Sequence, residues 1–245
     1  MGVDLARKKV LITGANRGIG FGLAEGFLKA GAMVTIVALE EDVIEIAGQL
    51  SETYKREVQG IICDIAKLAQ VDQMAGKVDK VDVLVNNAGT FEEDWGTLPS
   101  ELDFADLKRT FDVNFFGPYR LTQLLVPIIK RSPQGRIVNI SSDMGSLEGI
   151  NDPNSLVYEV MGPAYQASKV SINSITALFA KELRDSNCKV NSASPGWCRT
   201  DMGTDSAPLT VEEGAATPVW LATLPQDGPT GKFFSSTRNK GKMEW

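Results

Sequence analysis

The sequence contains no histidine, and this absence narrows the chemistry open to it. Without histidine the chain cannot form a histidine-based catalytic triad or a zinc site with histidine ligands. Its three cysteines, Cys63, Cys188 and Cys198, are scattered and show no Cys-x-x-Cys spacing, which excludes a disulfide framework and a zinc knuckle. We therefore predict no metal site. Proton-transfer chemistry would have to come from Tyr, Lys, Asp, Glu or Cys side chains.

The sequence also lacks a long apolar segment and an excess of basic residues. No stretch approaches the ~18 apolar residues of a membrane-spanning helix. The apolar run that follows Lys9 is too short for a signal peptide. The formal net charge of -6 disfavours nucleic acid or an anionic membrane as the main partner. We expect neither partner, and we expect a cytoplasmic protein.

The order of the predicted elements indicates the fold class. Apolar runs that suit buried strands alternate with helical patterns along all 245 residues. This alternation predicts an α/β fold: one domain over 1–245 with a doubly wound (Rossmann) parallel sheet and helices on both faces. The predicted strands are 8–13, 32–38, 58–63, 81–85, 135–140, 189–194 and 232–234. The predicted helices are 14–30, 43–54, 101–112, 116–131, 165–185 and 211–223, with Pro127 expected to kink one helix and Pro218 to interrupt another.

A glycine-rich turn follows the first predicted strand and opens the first predicted helix. It reads Gly14-Ala15-Asn16-Arg17-Gly18-Ile19-Gly20. Glycines allow close approach of the backbone, and the free N–H groups of a helix start attract a pyrophosphate. The spacing differs from the common G-x-G-x-x-G, and a glycine cluster alone also suits a tight turn. The strand before it and the helix after it favour dinucleotide binding.

Polar residues also follow two later strands. Asp64 comes after the third strand, where a carboxylate can meet an adenine or ribose or can cap the next helix; the sequence favours neither. Asn86-Asn87-Ala88-Gly89 comes after the fourth strand. Two amides and a glycine suit holding backbone and ribose in place, although a plain turn has the same composition.

Tyr165 and Lys169 are four residues apart within a predicted helix and therefore lie on one face of it. A free phenol has a pKa of about 10, and a nearby ammonium favours the phenolate. We expect this pair to bring the phenol toward neutral pH, a shift of about 3 units or about 4 kcal/mol. The spacing alone is common on ordinary helix surfaces, so the pair gains weight only from the rest of the chain.

Taken together, the ordered motifs resemble the short-chain dehydrogenase/reductase family over almost the whole chain. They are Thr13-Gly14-x-x-x-Gly18-x-Gly20, Asn86-Asn87-Ala88-Gly89, Asn114, Ser142, Tyr165-x-x-x-Lys169 and Pro195-Gly196. Each motif is weak by itself, whereas the ordered set is specific. The segments 194–202, 212–215 and 231–245 resemble the carbonyl reductase branch.

The resemblance implies a catalytic role for four residues. Tyr165 would exchange a proton with the carbonyl or alcohol oxygen, and Ser142 would hydrogen-bond that oxygen. Lys169 would lower the pKa of the tyrosine and hold the nicotinamide ribose. Asn114 would position a water that links Lys169 to solvent. Hydride would move between the nicotinamide and the carbonyl carbon.

Two of these four positions, and Cys198 besides, have alternative interpretations in the sequence. Ser141 is the nearest rival of Ser142, which is preferred because it stands three residues before Gly145, as in the family. Asn114 could instead be the N-cap of the helix from position 116. Cys198 stands where the family usually has an aliphatic residue near the nicotinamide, so contact with coenzyme or redox reactivity stays open.

The resemblance also implies a coenzyme site built from the glycine turn and the ends of later strands. Its expected residues are Gly14, Asn16, Arg17, Gly18, Ile19, Gly20, Asp64, Ile65, Asn87, Ala88, Gly89, Tyr165, Lys169, Pro195, Gly196 and Thr200. The dinucleotide-binding part would occupy about 1–140.

Residues at the end of the second strand bear on the choice of coenzyme. NAD-preferring members of the family carry an acid where this chain has Ala38, and some NADP-preferring members carry an arginine where it has Leu39. Arg17 supplies the other basic position that meets a 2′-phosphate. Glu40 and Glu41 are expected to point to solvent. The pattern favours NADP(H) over NAD(H), with Arg17 as the main discriminator.

The substrate loops are expected within 143–163 and 197–210. Ser142 and Tyr165 are 23 positions apart, which is longer than is usual for the family. Apolar residues of this insertion would form one wall of the pocket. They are Leu147, Ile150, Leu156, Val157 and Tyr158. A longer insertion resembles monomeric carbonyl reductases, whereas the wider family is mostly dimers and tetramers, and we expect a homo-oligomer.

The sequence leaves three functions open. The first is NADPH-dependent reduction of a small-molecule ketone, aldehyde or quinone. The second is a catalytically idle dinucleotide binder that acts as a redox sensor or scaffold. The third is an oxidising dehydrogenase of a specific hydroxy compound. The intact set of Asn114, Ser142, Tyr165 and Lys169 favours an enzyme, because a pure binder has no need of it.

Overall fold

Strands and helices alternate in the computed structural model, which describes residues 4–238, 241–243 and 245. The strands are β1 (Lys9–Thr13), β2 (Met33–Ala38), β3 (Val58–Ile62), β4 (Val83–Asn86), β5 (Arg136–Ile140), β6 (Lys189–Ser194), β7 (Phe233–Ser235) and β8 (Gly241–Met243). The helices are α1 (Gly18–Lys29), α2 (Asp42–Tyr54), α3 (Leu68–Ala75), α4 (Phe104–Phe111), α5 (Gly117–Ile129), α6 (Leu147–Asn151), α7 (Pro163–Glu182) and α8 (Val211–Ala222). A π-helix, Asp112–Phe116, joins α4 to α5, and short 3-10 turns cover Asp143–Gly145 and Ser236–Arg238.

The eight strands form one sheet in the order β3-β2-β1-β4-β5-β6-β7-β8. Neighbouring strands from β3 to β7 run parallel, whereas β8 pairs antiparallel with β7. The predicted doubly wound parallel sheet is confirmed, and the antiparallel edge strand was not predicted. The strand order reverses between β1 and β4, which is where an open α/β sheet forms a ligand crevice at the carboxyl ends of its strands.

Two hydrophobic cores cover the two faces of the sheet, because successive side chains of a strand alternate in direction. Val10 and Ile12 of β1 pack into the core that includes Phe27 of α1. Leu11, between them, packs into the core that includes Leu121 of α5 and Ile172 of α7. Burying each such side chain contributes about 1.5–3 kcal/mol. The helices that carry catalytic candidates are thereby fixed against the sheet.

Of the two prolines inside helices, Pro218 behaves differently from expectation. The helix α8 continues from Val211 to Ala222 through Pro218, so the predicted interruption is wrong. Pro218 cannot donate to the carbonyl of Gly214. The hydroxyl of Ser236 donates to that carbonyl at 3.3 Å, which compensates for the missing bond. The helix α5 contains Pro127 and ends at Ile129, and the kink expected at Pro127 stays a prediction.

Short helices are the main elements missing from the sequence prediction. The eight residues of α3 include an exposed Leu68, so their apolar pattern is weak. The five residues of α6 lie inside the segment that was expected to be a loop. None of the helices described is both long and apolar enough to span a membrane.

Candidate active site

Tyr165 and Lys169 lie on consecutive turns at the start of α7 and face the carboxyl end of β5. Lys169 is only 3% exposed. Its Nζ lies 5.3 Å from the centre of the Tyr165 ring and donates to the Ile140 carbonyl at 3.0 Å. The helical spacing therefore places the ammonium beside the phenol, as the sequence predicted.

Two consecutive serines after β5 point in opposite directions, because β structure alternates its side chains. Ser142 hydrogen-bonds the phenol of Tyr165 and accepts from the Met144 N–H at 3.2 Å. Ser141 is buried and its hydroxyl lies 3.4 Å from the backbone oxygen of Lys169. The structure thus brings Ser142, and not Ser141, to the catalytic candidate.

The protonation of the pair differs from the sequence expectation. Desolvation raises the pKa of Tyr165 to about 12; the Ser142 hydrogen bond acts in the opposite direction, and the charges of Asp143 and Glu93 raise the pKa further. Desolvation lowers the pKa of Lys169 to about 8. The expected shift of the phenol toward neutral pH is therefore wrong for this structure, because burial outweighs the nearby ammonium. Tyr165 holds its proton and can donate it.

Asn114 lies within the π-helix and is buried. Its Oδ1 accepts from the Thr90 N–H at 2.8 Å, and its Nδ2 donates to the Thr90 carbonyl at 2.9 Å and to Ser168 Oγ at 3.0 Å. Ser168 in turn donates to the Tyr165 carbonyl at 2.7 Å. Asn114 therefore joins the segment after β4 to α7 and does not cap α5. Its role toward a water stays a prediction.

The glycine turn has the close packing that a pyrophosphate cradle needs. A Cβ on Gly20 would collide with the Gly14 carbonyl, and Gly14 itself has a φ of +62°. Asn87 Nδ2 donates to the carbonyls of Thr13 and Gly14, each at 2.9 Å. No side chain caps the start of α1, so its N–H groups and positive dipole end suit an anion. These residues fit a dinucleotide.

The segment Asn86 to Gly89 ties β4 to β1 and is more than a plain turn. The N–H groups of Asn87 and Ala88 both donate to the Thr13 hydroxyl, at 3.1 Å and 3.0 Å. A Cβ on Gly89 would lie 3.4 Å from both Asn114 Oδ1 and Lys169 Nζ. Glycine at this position keeps open the space between these two catalytic candidates.

The neighbourhood of the expected 2′-phosphate site contains acids as well as Arg17. Arg17 lies on the glycine turn, and its Nη1 is 2.5 Å from the Asp201 carboxylate. Both side chains are exposed. Asn16 Nδ2 donates to Asp42 at 3.0 Å and to Glu40 at 3.3 Å. Glu40 and Glu41 are both exposed to solvent, as expected. The Glu40 carboxylate also accepts from the Asn16 amide and so stays close to the glycine turn.

Asp64 makes local contacts after β3. Its Oδ1 accepts from the Ala66 N–H at 3.0 Å, and its Oδ2 lies 3.2 Å from the Lys67 ammonium. The N-cap of α3 is Lys67, so Asp64 holds the turn before the helix and is not its N-cap. The side chain of Ile65 is buried beside it. Contact of Asp64 and Ile65 with an adenine stays a prediction.

Residues after β6 lie over the glycine turn. Gly196 has a φ of +76°, which allows the chain to turn sharply after Pro195. The side chain of Thr200 lies against Gly18, where a Cβ would be 3.4 Å away. Cys198 is buried, with Sγ 3.3 Å from the Pro195 carbonyl, and burial raises the pKa of its thiol to about 11. A protonated, buried thiol is inert, so redox reactivity of Cys198 is disfavoured.

Known proteins resemble this chain in sequence and in fold. The family model described as short chain dehydrogenase matches residues 8–208. A (+)-neomenthol dehydrogenase of Arabidopsis thaliana is 30% identical, over 92% of this chain and 95% of its own length. Carbonyl reductase (NADPH) 1 of Sus scrofa is also 30% identical, over 96% of this chain and 93% of its own. The solved NADPH-bound carbonyl reductase from chicken fatty liver superposes with a TM-score of 0.83 at 23% identity, covering 98% of this chain and 100% of its own.

This chain belongs to the short-chain dehydrogenase family. Its predicted resemblance to that family and to the carbonyl reductase branch is confirmed. It is accordingly an oxidoreductase of the short-chain dehydrogenase/reductase type. The likeness to the chicken protein shows the shared fold.

A segment of this short-chain dehydrogenase that the sequence did not single out lies next to Tyr165. The Phe91 ring centre is 5.1 Å from that of Tyr165, and Trp95 stacks on Phe91 at 4.0 Å. Glu93, between them in sequence, is buried and accepts from the Tyr165 N–H at 2.9 Å. Two aromatic residues soon after Asn86-Asn87-Ala88-Gly89 were the available signal.

The long insertion before Tyr165 was expected to form one wall of an apolar pocket, and this role stays a prediction. Leu147 is 53% exposed and Leu156 is 92% exposed. Ile150 and Val157 are half-buried, and Tyr158 is exposed.

Among the described residues, no cluster of three or more Cys, Asp or Glu side chains could hold a metal ion.

Proposed function

We propose that this protein reduces a ketone, aldehyde or quinone carbonyl with NADPH, with Tyr165 as the proton donor. The observation that carries the proposal is that the protonated phenol of Tyr165 and the Ser142 hydroxyl are hydrogen-bonded to each other, next to the buried Lys169. Two neighbouring hydroxyl groups suit one carbonyl oxygen, which gains negative charge during reduction. The substrate would be a small molecule, as the names of the two relatives suggest.

In this mechanism NADPH, when bound, supplies the hydride. Tyr165 donates its proton to the carbonyl oxygen as that oxygen gains charge, and Ser142 hydrogen-bonds the same oxygen. The Lys169 ammonium, 5.3 Å from the ring, stabilises the phenolate that remains. Because burial lowers the pKa of Lys169 to about 8, this stabilisation weakens as the pH rises above that value.

The burial of Lys169 disfavours an idle dinucleotide binder. Its ammonium has the Ile140 carbonyl as hydrogen-bond acceptor and the Tyr165 ring as a cation–π partner, and no ion pair with a described carboxylate is formed. A buried ammonium without a carboxylate lowers stability, which a scaffold has no reason to accept. Oxidation of a hydroxy compound is the second candidate, and the dehydrogenase name of the Arabidopsis relative supports it. The protonated state of Tyr165 favours reduction.

The experiment that tests this function is a panel of ketones, aldehydes and quinones, each incubated with NADPH or NADH and followed at the nicotinamide absorbance. The proposal expects coenzyme oxidation with at least one carbonyl and a matching alcohol or quinol product. Tight coenzyme binding without turnover on any carbonyl would favour the idle binder. Turnover only with alcohols and oxidised coenzyme would favour the dehydrogenase.

The coenzyme proposed is NADP(H). Ala38, at the end of β2, is buried and supplies no carboxylate to repel a 2′-phosphate. Arg17 stands exposed on the glycine turn and would leave Asp201 to pair with the phosphate. The Sus scrofa relative, which is named for NADPH, supports this choice.

Replacing Arg17 with alanine should lower kcat/KM with NADPH by an amount that corresponds to about 1.5–3 kcal/mol of transition-state stabilisation. The loss with NADH should be much smaller, because only NADPH presents the phosphate. Glu40→Gln should change the coenzyme preference in the opposite direction to Arg17→Ala. It removes a carboxylate that lies 3.3 Å from Asn16, so kcat/KM with NADPH should rise relative to NADH. Steady-state kinetics with both coenzymes check the pair. Equal losses with both coenzymes in Arg17→Ala would contradict the assignment.

Replacing Trp95 with alanine should alter substrate choice. Trp95 extends an aromatic row that runs through Phe91 to Tyr165, so flat apolar carbonyls would stack along it. The variant should raise KM for an aromatic or cyclic ketone by about tenfold, and less for a small aliphatic aldehyde. Leu178→Ala, an exposed apolar position on α7, is the control. Equal changes for every carbonyl would show that Trp95 has a structural role only.

A cytoplasmic location and a homo-oligomeric state remain part of the proposal. Sedimentation at low protein concentration tests the second.

A further inference from the structure

Glu93 is a buried carboxylate in the loop after β4, only 5% exposed. Its Oε1 accepts from the Tyr165 N–H at 2.9 Å. Its Oε2 is buried and has no hydrogen-bond partner among the described residues. A carboxylate that is shielded from water and only half satisfied costs stability. Because Glu93 lies beside the proposed proton donor, we expect this loss of stability to serve the chemistry of Tyr165.

The helix that carries Tyr165 has no cap of its own. Its N-cap residue is Gly162, which has no side chain, and its first residue is Pro163. The N–H at the third helical position normally donates to the side chain of the N-cap residue, and here that N–H belongs to Tyr165. Glu93, which is 72 residues earlier in the sequence, supplies the missing acceptor. Its negative charge also suits the positive end of the helix dipole.

The loop that carries Glu93 is attached to the same helix start at two further points. The Gly96 N–H donates to the Met161 carbonyl at 3.0 Å. The Phe91 ring packs so closely on Gly162 that a Cβ there would lie 2.8 Å from it. At the beginning of the loop, Asn114 pairs with both backbone groups of Thr90. Glu93 is thus held in place from both sides, as a positioning group must be.

We propose that Glu93 is a positioning residue for carbonyl reduction, which fixes the backbone of Tyr165 through its N–H and places a negative charge beside the phenol. The inference rests on the proposed function of Tyr165 as proton donor. The two parts of the role are separable, because one depends on the Oε1 hydrogen bond and the other on the charge.

The charges around Tyr165 determine the sign of the expected effect. Glu93 from the loop after β4 and Asp143 from the turn after β5 both raise the pKa of the phenol, whereas the Ser142 hydrogen bond lowers it. Lys169 from α7 lies under the ring. Neutralising Glu93 removes one of the two acids, so the phenol should lose its proton at lower pH. Alcohol oxidation, which needs the phenolate, should then begin at lower pH, and the ionisation of Tyr165 itself should be seen at lower pH.

Two substitutions separate the parts. Glu93→Gln keeps an amide oxygen for the Tyr165 N–H and removes the charge, so the pKa of the Tyr165 phenol should fall by about 0.5–1 pH unit. Glu93→Asp keeps the charge on a shorter side chain that does not reach the N–H. It should leave the pKa of the phenol near its parent value, lower kcat by about tenfold and speed hydrogen exchange of the Tyr165 amide. Glu92→Gln, at the neighbouring acid that pairs with Arg109, is the control and should change neither.

The readouts keep failure of this inference apart from failure of the proposed function. Ionisation of Tyr165 is followed without substrate as the ultraviolet difference between each variant and the same variant carrying Tyr165→Phe. If the parent reduces no carbonyl, the proposed function fails, and the optical titration and amide exchange still decide the role of Glu93. An unshifted titration in Glu93→Gln relative to Glu92→Gln, or unchanged amide exchange in Glu93→Asp, would overturn the inference. If Glu93→Gln does not fold, hydrogen exchange of the Tyr165 amide in Glu93→Asp still decides the role of Glu93.

Discussion

Replacing Tyr165 with phenylalanine should reduce carbonyl reduction by at least ~10³-fold while leaving the fold and the coenzyme affinity nearly unchanged. The substitution removes the transferable proton and the hydrogen bond to Ser142. It keeps the ring, whose centre lies 5.1 Å from that of Phe91, so the packing around the site is preserved. No histidine exists in the chain to replace the lost acid. Steady-state kinetics and a coenzyme titration check the two halves of the expectation.

Tyr119→Phe is a suitable control for this experiment, because Tyr119 lies on α5 with its side chain 40% exposed and has no part in the proposed mechanism. It should retain full activity. If Tyr165→Phe turned over within tenfold of the parent rate, Tyr165 would not be the proton donor.

Replacing Lys169 with methionine should reduce turnover by about 10²–10³-fold and at the same time stabilise the fold. In the proposed mechanism the ammonium stabilises the phenolate and holds the coenzyme, so both turnover and coenzyme affinity should fall. The same ammonium is buried, and its pKa falls from 10.5 to about 8. A shift of this size corresponds to about 3 kcal/mol that folding loses at neutral pH, and methionine fills the space without that cost.

The pH dependence of stability follows from the same shift. The unfolded chain holds the Lys169 proton up to about pH 10.5, whereas the folded chain releases it from about pH 8. Between these values the unfolded state binds more protons, so this group makes the parent more stable as the pH rises. The gain should be absent in Lys169→Met. Urea unfolding across this range measures it, and a methionine variant that is less stable than the parent at neutral pH would contradict the assigned burial cost.

The sequence could predict those parts of the site that depend on local spacing. Tyr165 and Lys169 share a helix face because they are four residues apart, and Ser142 differs from Ser141 because side chains alternate in β structure. The parallel sheet followed from the alternation of strands and helices. Strand ends then gathered the glycine turn and Asn87 at one edge of the sheet.

The sequence could not predict contacts between distant segments that carry no local signal. Glu93 caps a helix 72 residues later, and Arg17 pairs with Asp201, 184 residues away. The Ser236 hydroxyl lets α8 continue through Pro218. The protonation of Tyr165 was misjudged for the same reason, because the desolvation that raises its pKa depends on tertiary packing.

Isotope transfer distinguishes carbonyl reduction by Tyr165 from coenzyme binding alone. The experiment uses NADPH with deuterium at its transferable position and a carbonyl that the parent reduces. We expect the alcohol product to carry the deuterium on its carbinol carbon. The Tyr119→Phe variant should form the same labelled alcohol at the parent rate, and Tyr165→Phe should form almost none while still binding NADPH. Coenzyme binding without labelled alcohol from any carbonyl, or labelled alcohol from Tyr165→Phe at a rate near that of the parent, would contradict this expectation.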